Sequence, residues 1–301
     1  MKVLITGSEG FIGRNLKRYF KSLGYDVAGI DIADSSEYTV DVVDKDAVFR
    51  AVTDFNPDAI VHLAAIVSIP KSIEDPYNCY RVNCFGTLNV LEASARIGLK
   101  RFIYASSANV YGLPKELPVR EDTPISPRAP YDFSKVIGEK FVESYINHKG
   151  LPAVILRSWK LFGEDDVPTS AIVRFVRSCL TNQPLYLYNA GRDSTDPTYI
   201  ENYCLAVKLS LEREEAVGQV FNVGTGNEVT IRQLAEKIKA LTGSSSELIL
   251  LPPRTEMESE PMRSYPSIEK LMSIGYRPVV SLEEGLKRVI EYEKKRVGIT
   301  K

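Results

Sequence analysis

Short runs of apolar residues recur along the first half of the chain, and stretches of helix length separate them. The five clearest runs, rich in Val, Ile and Leu, lie at residues 3–6, 26–30, 59–64, 101–106 and 153–158. Strands that are apolar on both faces are typical of a parallel sheet that helices cover on both sides. The alternation therefore predicts an α/β fold built on a doubly wound parallel sheet, the Rossmann type.

Amphipathic spacing and capping residues mark the predicted helices. Phe11, Ile12, Leu16 and Phe20 lie on one face of a helix after the first run. A further helix is predicted over residues 171–180. Helix starts are predicted at Asp44, at Thr230 with Gln233, and at Ser281 with Glu284.

The strand pattern loosens after residue 162. We predict a first domain over residues 1–162, joined by parts of 196–240, and a smaller C-terminal α/β lobe over residues 163–301. Residues 252–261 are charged and bounded by prolines, and they show neither strand nor helix periodicity. They are predicted to form a loop.

Composition narrows the possible partners. The 301 residues hold 38 Lys and Arg against 39 Asp and Glu, so a net charge of -1 gives no reason to expect binding to nucleic acid or to an anionic membrane. Four cysteines without a CxxC pair and two histidines argue against a metal site. The chain opens with a strand instead of a signal peptide, and its longest uncharged run is about half of a membrane span, so the cytoplasm is expected.

A glycine-rich segment, "GSEGFIG", stands between the first strand and its helix. Gly7, Gly10 and Gly13 have the spacing of a dinucleotide-binding turn, and Asp31 lies at the end of the second strand. Glycines let the backbone approach a pyrophosphate at a helix N-terminus. An acidic residue at the position of Asp31 accepts hydrogen bonds from the adenosine ribose and repels a 2'-phosphate, which favours NAD over NADP. The alternative is a plain strand-to-helix turn with a solvated aspartate.

A second pattern, "YDFSK", places Tyr131 and Lys135 on one helix face. By itself this spacing fits a solvated surface pair as well as an active site. An ammonium about 4 Å from a phenol contributes on the order of 4 kcal/mol at an effective dielectric of 20, enough to lower the phenol pKa by a few units. In an active site, Tyr131 would then serve as a general base.

Several segments in a fixed order resemble the extended short-chain dehydrogenases/reductases, within them the NAD-dependent epimerases and dehydratases, and most of all the UDP-galactose 4-epimerase branch. They are "GSEGFIG", "DVVD", "HLAA", "VNCFGTLNVLEA", "SSANVYG", "YDFSK", "LRSWKLFG" and "FNVGTGNEVT". The resemblance runs over nearly the whole chain. It implies that residues 1–162 bind NAD and that the C-terminal lobe binds a nucleotide sugar.

The resemblance also implies roles for individual residues. Those expected to be catalytic are Ser107, Tyr131 and Lys135. Those expected to contact NAD are Gly7, Gly10, Phe11, Ile12, Gly13, Asp31, Asp41, Val42, Ala64, Ala65, Asn83, Tyr131 and Lys135. His62 is interpreted as a core strand residue and not as a catalytic one.

The two residues directly after Ser107 reduce the number of possible reactions. Dehydratases of the family usually carry an Asp-Glu dyad there, and decarboxylases tend to have a glutamate close by, whereas this chain has Ala108 and Asn109. The resemblance therefore favours a 4-epimerase, in which Tyr131 exchanges a proton with the sugar hydroxyl and the hydride passes to NAD and back.

The expected substrate contacts depart from the family pattern. Lys160 replaces a usual asparagine, and Thr195 replaces the arginine that usually grips the diphosphate. Lys160, Arg192 and Arg263 could compensate or be ordinary solvated cations, and Tyr188 fits either uracil stacking or core packing. The altered clamp also resembles the sterol-dehydrogenase branch.

A net dehydrogenase, acting on another sugar or a sterol-like hydroxyl compound, is therefore the alternative reaction. A nucleotide sensor without chemistry is a third hypothesis, disfavoured because a sensor does not need the Ser107, Tyr131 and Lys135 set. The resemblance also implies a homodimer through the helices around residues 88–95 and 131–135.

Overall fold

A computed structural model describes residues 1–253 and 261–298. Its strands are β1 Lys2–Thr6, β2 Asp26–Asp31, β3 Tyr38–Thr39, β4 Ala59–His62, β5 Arg101–Ser107, β6 Ala153–Ser158, β7 Leu161–Phe162, β8 Leu185–Leu187, β9 Ser194–Thr195, β10 Thr198–Tyr199, β11 Val220–Val223, β12 Val229–Thr230 and β13 Leu248–Leu250. Seven of them form one parallel sheet in the order β11-β6-β5-β4-β1-β2-β3. The five predicted strands are all in this sheet, which confirms the doubly wound fold.

The helices lie between the strands and in the C-terminal part. They are α1 Phe11–Ser22, α2 Lys45–Phe55, α3 Ile69–Glu74, α4 Pro76–Tyr80, α5 Gly86–Arg96, α6 Pro130–Lys149, α7 Ala171–Leu180, α8 Ile200–Glu212, α9 Ile231–Thr242, α10 Glu269–Ser273 and α11 Leu282–Arg296. A π-helical turn at Arg81–Phe85 joins α4 to α5, and short 3-10 turns lie at Ala108–Tyr111, Tyr188–Gly191 and Glu214–Ala216.

Two apolar layers cover the sheet, one on each face. Val3 and Ile5 of β1 point to a layer shared with α1 and α8, and Leu4 points to a layer shared with α2 and α5. Successive strand residues face opposite sides, so a run that is apolar at every position is buried on both faces. This is the physical reason for the continuous apolar runs in the sequence.

The sheet recruits residues from late in the chain. β11 pairs in parallel with β6, from Val220 beside Ile155 to Val223 beside Ser158, and α8 packs against α1. Both elements lie within residues 196–240, the part expected to join the first domain. The domain division at residues 162 and 163 stays a prediction.

The C-terminal part has its own small ladders. β8 pairs in parallel with β13, β7 pairs in parallel with β10, and β9 pairs antiparallel with β12. Helices α7, α9 and α11 pack against one another beside these ladders. Of the predicted loop at residues 252–261, positions 254–260 lie outside the described residues.

The predicted helix starts are confirmed, with one difference. Asp44 accepts a hydrogen bond from the Ala47 amide, and Thr230 and Gln233 form a complete capping box. Ser281 caps α11 by accepting from the Glu284 amide, but the Glu284 carboxylate pairs with Arg288 on the next turn. Among the described residues, the Glu284 carboxylate therefore does not accept from the Ser281 amide, which would be the second bond of a capping box.

Two further findings concern the described residues alone. Within them, no helix combines the length and the apolar character that crossing a bilayer requires. In the same part of the chain, no group of three or more His, Cys, Asp or Glu side chains is arranged to hold a metal ion. All four cysteines are buried and unpaired.

Candidate active site

The glycine segment forms a tight cradle between β1 and α1. Gly7 has φ +70°, and a Cβ at this residue would lie 2.8 Å from the Ala64 amide nitrogen. A Cβ on Gly13 would lie 2.3 Å from the Gly7 carbonyl oxygen. Side chains at these two positions would fill the cradle, so the close approach of the backbone requires glycine. Gly10 is the N-cap of α1, and Phe11 and Ile12 begin that helix, whose first amide groups have no partner within the helix.

Asp31 ends β2 next to this cradle. Its Oδ2 accepts a hydrogen bond from the Glu9 amide at 2.9 Å, and its Oδ1 accepts one from the Ala33 amide at 3.1 Å. The carboxylate is therefore fixed at the carboxyl end of a parallel strand. This edge, outside the carboxyl ends of the strands, is where open α/β sheets bind their ligands.

The segment after β4, which contains Ala64 and Ala65, is held from two sides. Thr6 Oγ1 accepts from the amides of Leu63 and Ala64, each at 3.2 Å. On the other side, the Asn83 side chain accepts from the Ile66 amide at 2.7 Å and donates to the Ile66 carbonyl at 2.9 Å.

Asn83 was expected near the active site, and the structure shows how its amide is used. The amide nitrogen also donates to Ser134 Oγ at 2.8 Å, and that hydroxyl donates to the Tyr131 carbonyl oxygen at 2.7 Å. Asn83 thus connects the segment after β4 to the first turn of α6. Both polar atoms of its side chain are hydrogen-bonded to other residues of the protein, so Asn83 has a structural role.

His62 lies in the core, as interpreted from the sequence. Thr87 Oγ1 donates to the Asn83 carbonyl at 2.6 Å, so it accepts from His62 Nε2 at 2.9 Å. His62 Nδ1 then accepts from Thr6 Oγ1 at 2.7 Å. Burial lowers the pKa of this imidazole to about 3, and the charge of Lys135 acts in the same direction. His62 is therefore neutral, carries its proton on Nε2 and connects Thr6 to Thr87.

Asp41 and Val42 follow β3 in the chain. The Asp41 carboxylate accepts from the Val43 amide at 3.1 Å and lies 3.9 Å from Arg81 Nη1. Val42 is buried against Gly86, where a Cβ would lie 2.6 Å from Val42 Cγ2. They form the rim expected to border the adenine.

Ser107, Tyr131 and Lys135 come together at the carboxyl end of β5. Ser107 is the last residue of that strand; its hydroxyl accepts from the Asn109 amide at 3.2 Å and is close enough to the Tyr131 phenol to lower the phenol pKa. Lys135 donates from Nζ to the Ala105 carbonyl at 2.8 Å, and its Nζ lies 6.0 Å from the centroid of the Tyr131 ring. Tyr131 is 8% exposed and Lys135 is 5% exposed. A solvated surface pair is thereby excluded.

The electrostatics of this trio correct one expectation. Burial raises the pKa of Tyr131 to about 12, and the nearby Ser107 hydroxyl acts against that rise without cancelling it. Burial also lowers the pKa of Lys135 to about 8, against the opposing charge of Glu139. The prediction that Lys135 lowers the phenol pKa is wrong here, because loss of water destabilises the charged form of both groups.

The start of α6 fixes the direction of the Tyr131 side chain. Pro130 occupies the first turn of α6, where its missing N–H costs no helix hydrogen bond. The Asp132 carboxylate accepts from the amides of Arg128 at 3.1 Å and Ala129 at 2.9 Å. The helix therefore begins at a defined residue, directly before the phenol.

A group of buried polar residues, which the sequence pattern did not reveal, lies next to Ser107 and Lys135 of the trio. Arg157 donates from Nε and Nη2 to the two carboxylate oxygens of Glu139, at 2.9 and 2.7 Å. Its Nη1 donates to the Tyr111 hydroxyl at 2.8 Å, and Ser106 Oγ donates to Glu139 at 2.5 Å. We call Ser106, Tyr111, Glu139 and Arg157 the buried hub. The signal in the sequence was Glu139, four residues after Lys135 and so on the same helix face.

The four expected substrate residues are distributed around the C-terminal side. Lys160, two residues beyond β6, is exposed, and its carbonyl accepts from the Thr198 amide at 2.8 Å. Tyr188 is 43% exposed, and Arg192 donates from Nε to the Asn189 carbonyl at 3.3 Å. Arg263 binds both carboxylate oxygens of Glu228, at 2.7 and 2.6 Å.

Arg263 lies next to the position where the family arginine is replaced. Glu228, its partner, also accepts from Ser194 Oγ at 2.5 Å, and Ser194 precedes Thr195 in β9. Asp196 is buried and accepts from the amides of Thr225 and Gly226, each at 2.7 Å. Asp196 therefore orders the turn after β11, and the guanidinium near Thr195 is supplied by Arg263 in a pair with a carboxylate.

Known proteins share both the sequence pattern and the fold of this chain. Residues 3–224 match the model of the NAD dependent epimerase/dehydratase family. The chain belongs to this family. A putative UDP-glucose 4-epimerase of Methanocaldococcus jannaschii is 31% identical over an alignment of 306 positions, which covers 97% of this chain and 98% of that protein.

Solved structures of the epimerase/dehydratase family have the same fold as this member. The UDP-glucose 4-epimerase of Thermotoga maritima with UDP-glucose has a TM-score of 0.92 at 29% identity, and the match covers 99% of this chain and 100% of that one. The UDP-glucose 4-epimerase of Thermus thermophilus in complex with NAD has a TM-score of 0.87 at 30% identity, covering 97% and 98%. Similar structures also include epimerases of UDP-glucuronic acid and UDP-N-acetylglucosamine and a dTDP-glucose 4,6-dehydratase.

The cofactor of the family is NAD, and the residues of this chain fit it. The cradle at Gly7 and Gly13 admits only backbone, the first amides of α1 face that cradle, and Asp31 stands at the end of β2. These are the groups that a pyrophosphate and an adenosine ribose require.

Proposed function

We propose that this protein is a nucleotide-sugar 4-epimerase of the UDP-glucose/UDP-galactose type. The observation that supports the proposal most strongly is the cluster of Ser107, Tyr131 and Lys135 beside the glycine cradle, with Ala108 and Asn109 in the place of an acidic dyad. A side chain suited to elimination is thus lacking directly after Ser107. Proton exchange at one hydroxyl group is the chemistry left to the trio.

Each member of the trio has a task that its environment explains. When bound, NAD supplies the acceptor and later the donor of a hydride. Tyr131 exchanges the proton of the sugar hydroxyl, and Ser107 holds that oxygen through its own hydroxyl. Lys135 keeps a positive charge beside the phenol in a dry site, where charges interact more strongly than in water. Burial favours the protonated phenol, which is the form that returns a proton to the sugar. Accepting the sugar proton requires the phenolate, which the positive ring of bound oxidised NAD would favour.

The diphosphate of the substrate has two candidate contacts. Lys160 is exposed beside β10, and Arg263 lies next to Thr195 but is paired with Glu228. We propose that both take part and that Tyr188 and Arg192 lie near the nucleotide. The pair with Glu228 then weakens the grip of Arg263, because the diphosphate competes with a carboxylate for the same planar donor.

The experiment is to incubate the purified protein, without added nucleotide cofactor, with UDP-galactose and then with UDP-N-acetylgalactosamine. Chromatography of the C4 epimers measures the reaction, and Tyr131→Phe is the control that should retain NAD but lose turnover. Interconversion of either pair supports the proposal. Failure with both, in protein shown to contain NAD, would contradict it for these sugars.

A dehydrogenase acting on another sugar or a sterol-like hydroxyl compound is the alternative, favoured by the replacement of the usual arginine by Thr195. It predicts net NADH formation, seen as absorbance at 340 nm that grows with added NAD. An epimerase returns the hydride and shows no such growth.

We also propose a homodimer that works in the cytoplasm. Phe133 on α6, one of the two expected helices, is 46% exposed, and Ile73, Tyr77 and Phe85 on the neighbouring α3, α4 and π-helical turn are 62%, 79% and 61% exposed. Val90 and Leu91 of α5, by contrast, are buried against the sheet. Phe85→Asp should yield monomers in light scattering, and an unchanged mass would contradict this face. Four unpaired cysteines agree with a reducing compartment.

A further inference from the structure

A charged cluster lies beside the expected adenosine site. The ammonium of Lys17, on α1, is 2.9 Å from Glu9 Oε1 and 2.8 Å from Glu37 Oε2. Lys21, one turn later, is 3.6 Å from Glu37 Oε1. The side chains of Lys17 and Glu9 are only 14% and 17% exposed. We call Glu9, Lys17 and Glu37 the bridged lysine cluster.

Backbone contacts place this cluster next to Asp31. The Glu9 amide donates to Asp31 Oδ2 at 2.9 Å, so the residue that pairs with Lys17 also touches the ribose-binding carboxylate. Glu37 Oε2 accepts from the Gly29 amide at 2.9 Å. Gly29 and Asp31 are two residues apart in β2, on the same face and about 7 Å from each other along the strand.

Glycine at position 29 makes this arrangement possible. A Cβ there would lie 2.2 Å from Ser8 Oγ and 3.0 Å from Glu37 Oε2. The strand thus leaves room for Ser8 and for the Glu37 carboxylate to fold over its end. The carboxylate is held in place by a backbone amide and an ammonium at once, and its pKa is lowered by Lys17 despite partial burial.

The charges of the cluster bear on which dinucleotide fits. The 2'-phosphate of NADP would meet the Asp31 carboxylate and would need a cation nearby. Lys17 is a cation of this region, but two carboxylates already bind it, and Glu37 also draws Lys21. A phosphate would have to break these pairs before it could gain the ammonium.

We propose that Glu9 and Glu37 determine cofactor specificity by holding Lys17 in ion pairs. NADP then binds poorly for two reasons: the Asp31 carboxylate repels its 2'-phosphate, and Lys17 is not available to neutralise that phosphate. This rests on the proposed role of Asp31 at the ribose. It differs from simple repulsion, because it makes the effect of Glu37 depend on Lys17.

The test is a competition for binding and does not require activity. Purified protein is incubated with equimolar NAD and NADP until exchange is complete, desalted, and denatured with acid, and the ratio of released NADP to NAD is measured by chromatography. Glu37→Gln is chosen because its amide oxygen can still accept from the Gly29 amide. Glu212→Gln, whose carboxylate pairs with Lys208 at 2.6 Å on α8, is the matched control.

Asp31→Asn should raise the ratio by about tenfold or more, because one like charge is removed. Adding Glu37→Gln to Asp31→Asn should raise it by about a further tenfold, while Glu212→Gln should leave it unchanged. In a Lys17→Met background, the gain from Glu37→Gln should shrink several-fold. Melting curves of each variant verify that the fold is retained.

Equal gains from Glu37→Gln with and without Lys17→Met would overturn the proposal and leave direct repulsion as the whole effect. An unchanged ratio in Asp31→Asn, or wild-type protein that binds neither dinucleotide, would instead refute the ribose site itself. The two failures are therefore distinguishable.

Discussion

Removing Arg157 from the buried hub should destabilise the protein strongly. Arg157 and Glu139 are 4% and 0% exposed, and the guanidinium gives both of its Glu139 hydrogen bonds inside the protein. Arg157→Met retains most of the side-chain volume but leaves a buried carboxylate with Ser106 as its remaining partner in the hub. Breaking a buried ion pair in this way costs about 3–5 kcal/mol.

The assay is urea unfolding followed by tryptophan fluorescence. Trp159 is the sole tryptophan, and its ring stacks on Tyr111 of the hub with centroids 5.9 Å apart. Its emission therefore reports the region that is perturbed. Adding Glu139→Gln to Arg157→Met removes the unpaired charge, so the double variant should be more stable than Arg157→Met alone.

Lys140→Met supplies the matched control. Lys140 is next to Glu139 in sequence and pairs with Glu143 at 2.7 Å, but the side chains of this pair are 62% and 39% exposed. Loss of such an exposed pair should change the free energy of unfolding by less than about 1 kcal/mol. If Arg157→Met were no more destabilising than Lys140→Met, the argument from burial would be refuted.

Three further predictions concern the cradle, the active site and pH. Gly13→Ala should lose bound NAD, because its Cβ would lie 2.3 Å from the Gly7 carbonyl oxygen. Gly24→Ala is strained by its φ of +79° but has no heavy atom within 4 Å of its Cβ, so it should retain NAD; equal NAD content of the two variants after acid release would contradict this. Tyr131→Phe should lower turnover by at least about a hundredfold with NAD retained, and a wild-type rate would remove Tyr131 from the mechanism. Burial lowers the His62 pKa to about 3, so its contribution to stability is present above pH 6.5 and is lost as pH falls toward 3. The urea midpoint of His62→Asn should therefore fall less than that of the wild type between pH 6.5 and pH 3. An equal fall in both proteins would refute the view that His62 is neutral and buried.

Local pattern was sufficient for the fold class, for the glycine turn after β1 and for the Tyr131–Lys135 pair. Apolar runs revealed the five strands because burial on both faces requires apolar side chains at successive positions. The glycine spacing and the Tyr131–Lys135 spacing are similarly local, since a turn and a helix fix which residues share a surface. The two-residue strand β3 is too short for such a pattern, and β11 was not among the predicted runs.

Tertiary structure decided the electrostatics of the site. Four-residue spacing placed Lys135 near Tyr131, but only the packing shows that the lysine donates to Ala105 and that burial raises the phenol pKa. Desolvation depends on everything that surrounds a group, and no local pattern contains that information.

Pairing over long sequence distances was also decided by the fold alone. The sequence offered Arg263 as a cation for a diphosphate, yet it pairs with Glu228, 35 positions away, and Arg157 meets Glu139 across 18 positions. A charged residue in a sequence has many possible partners. The sequence by itself therefore determined which elements form and which residues gather at the carboxyl edge of the sheet, whereas the three-dimensional packing determined which charges are paired, buried or available, because those properties depend on contacts between distant segments.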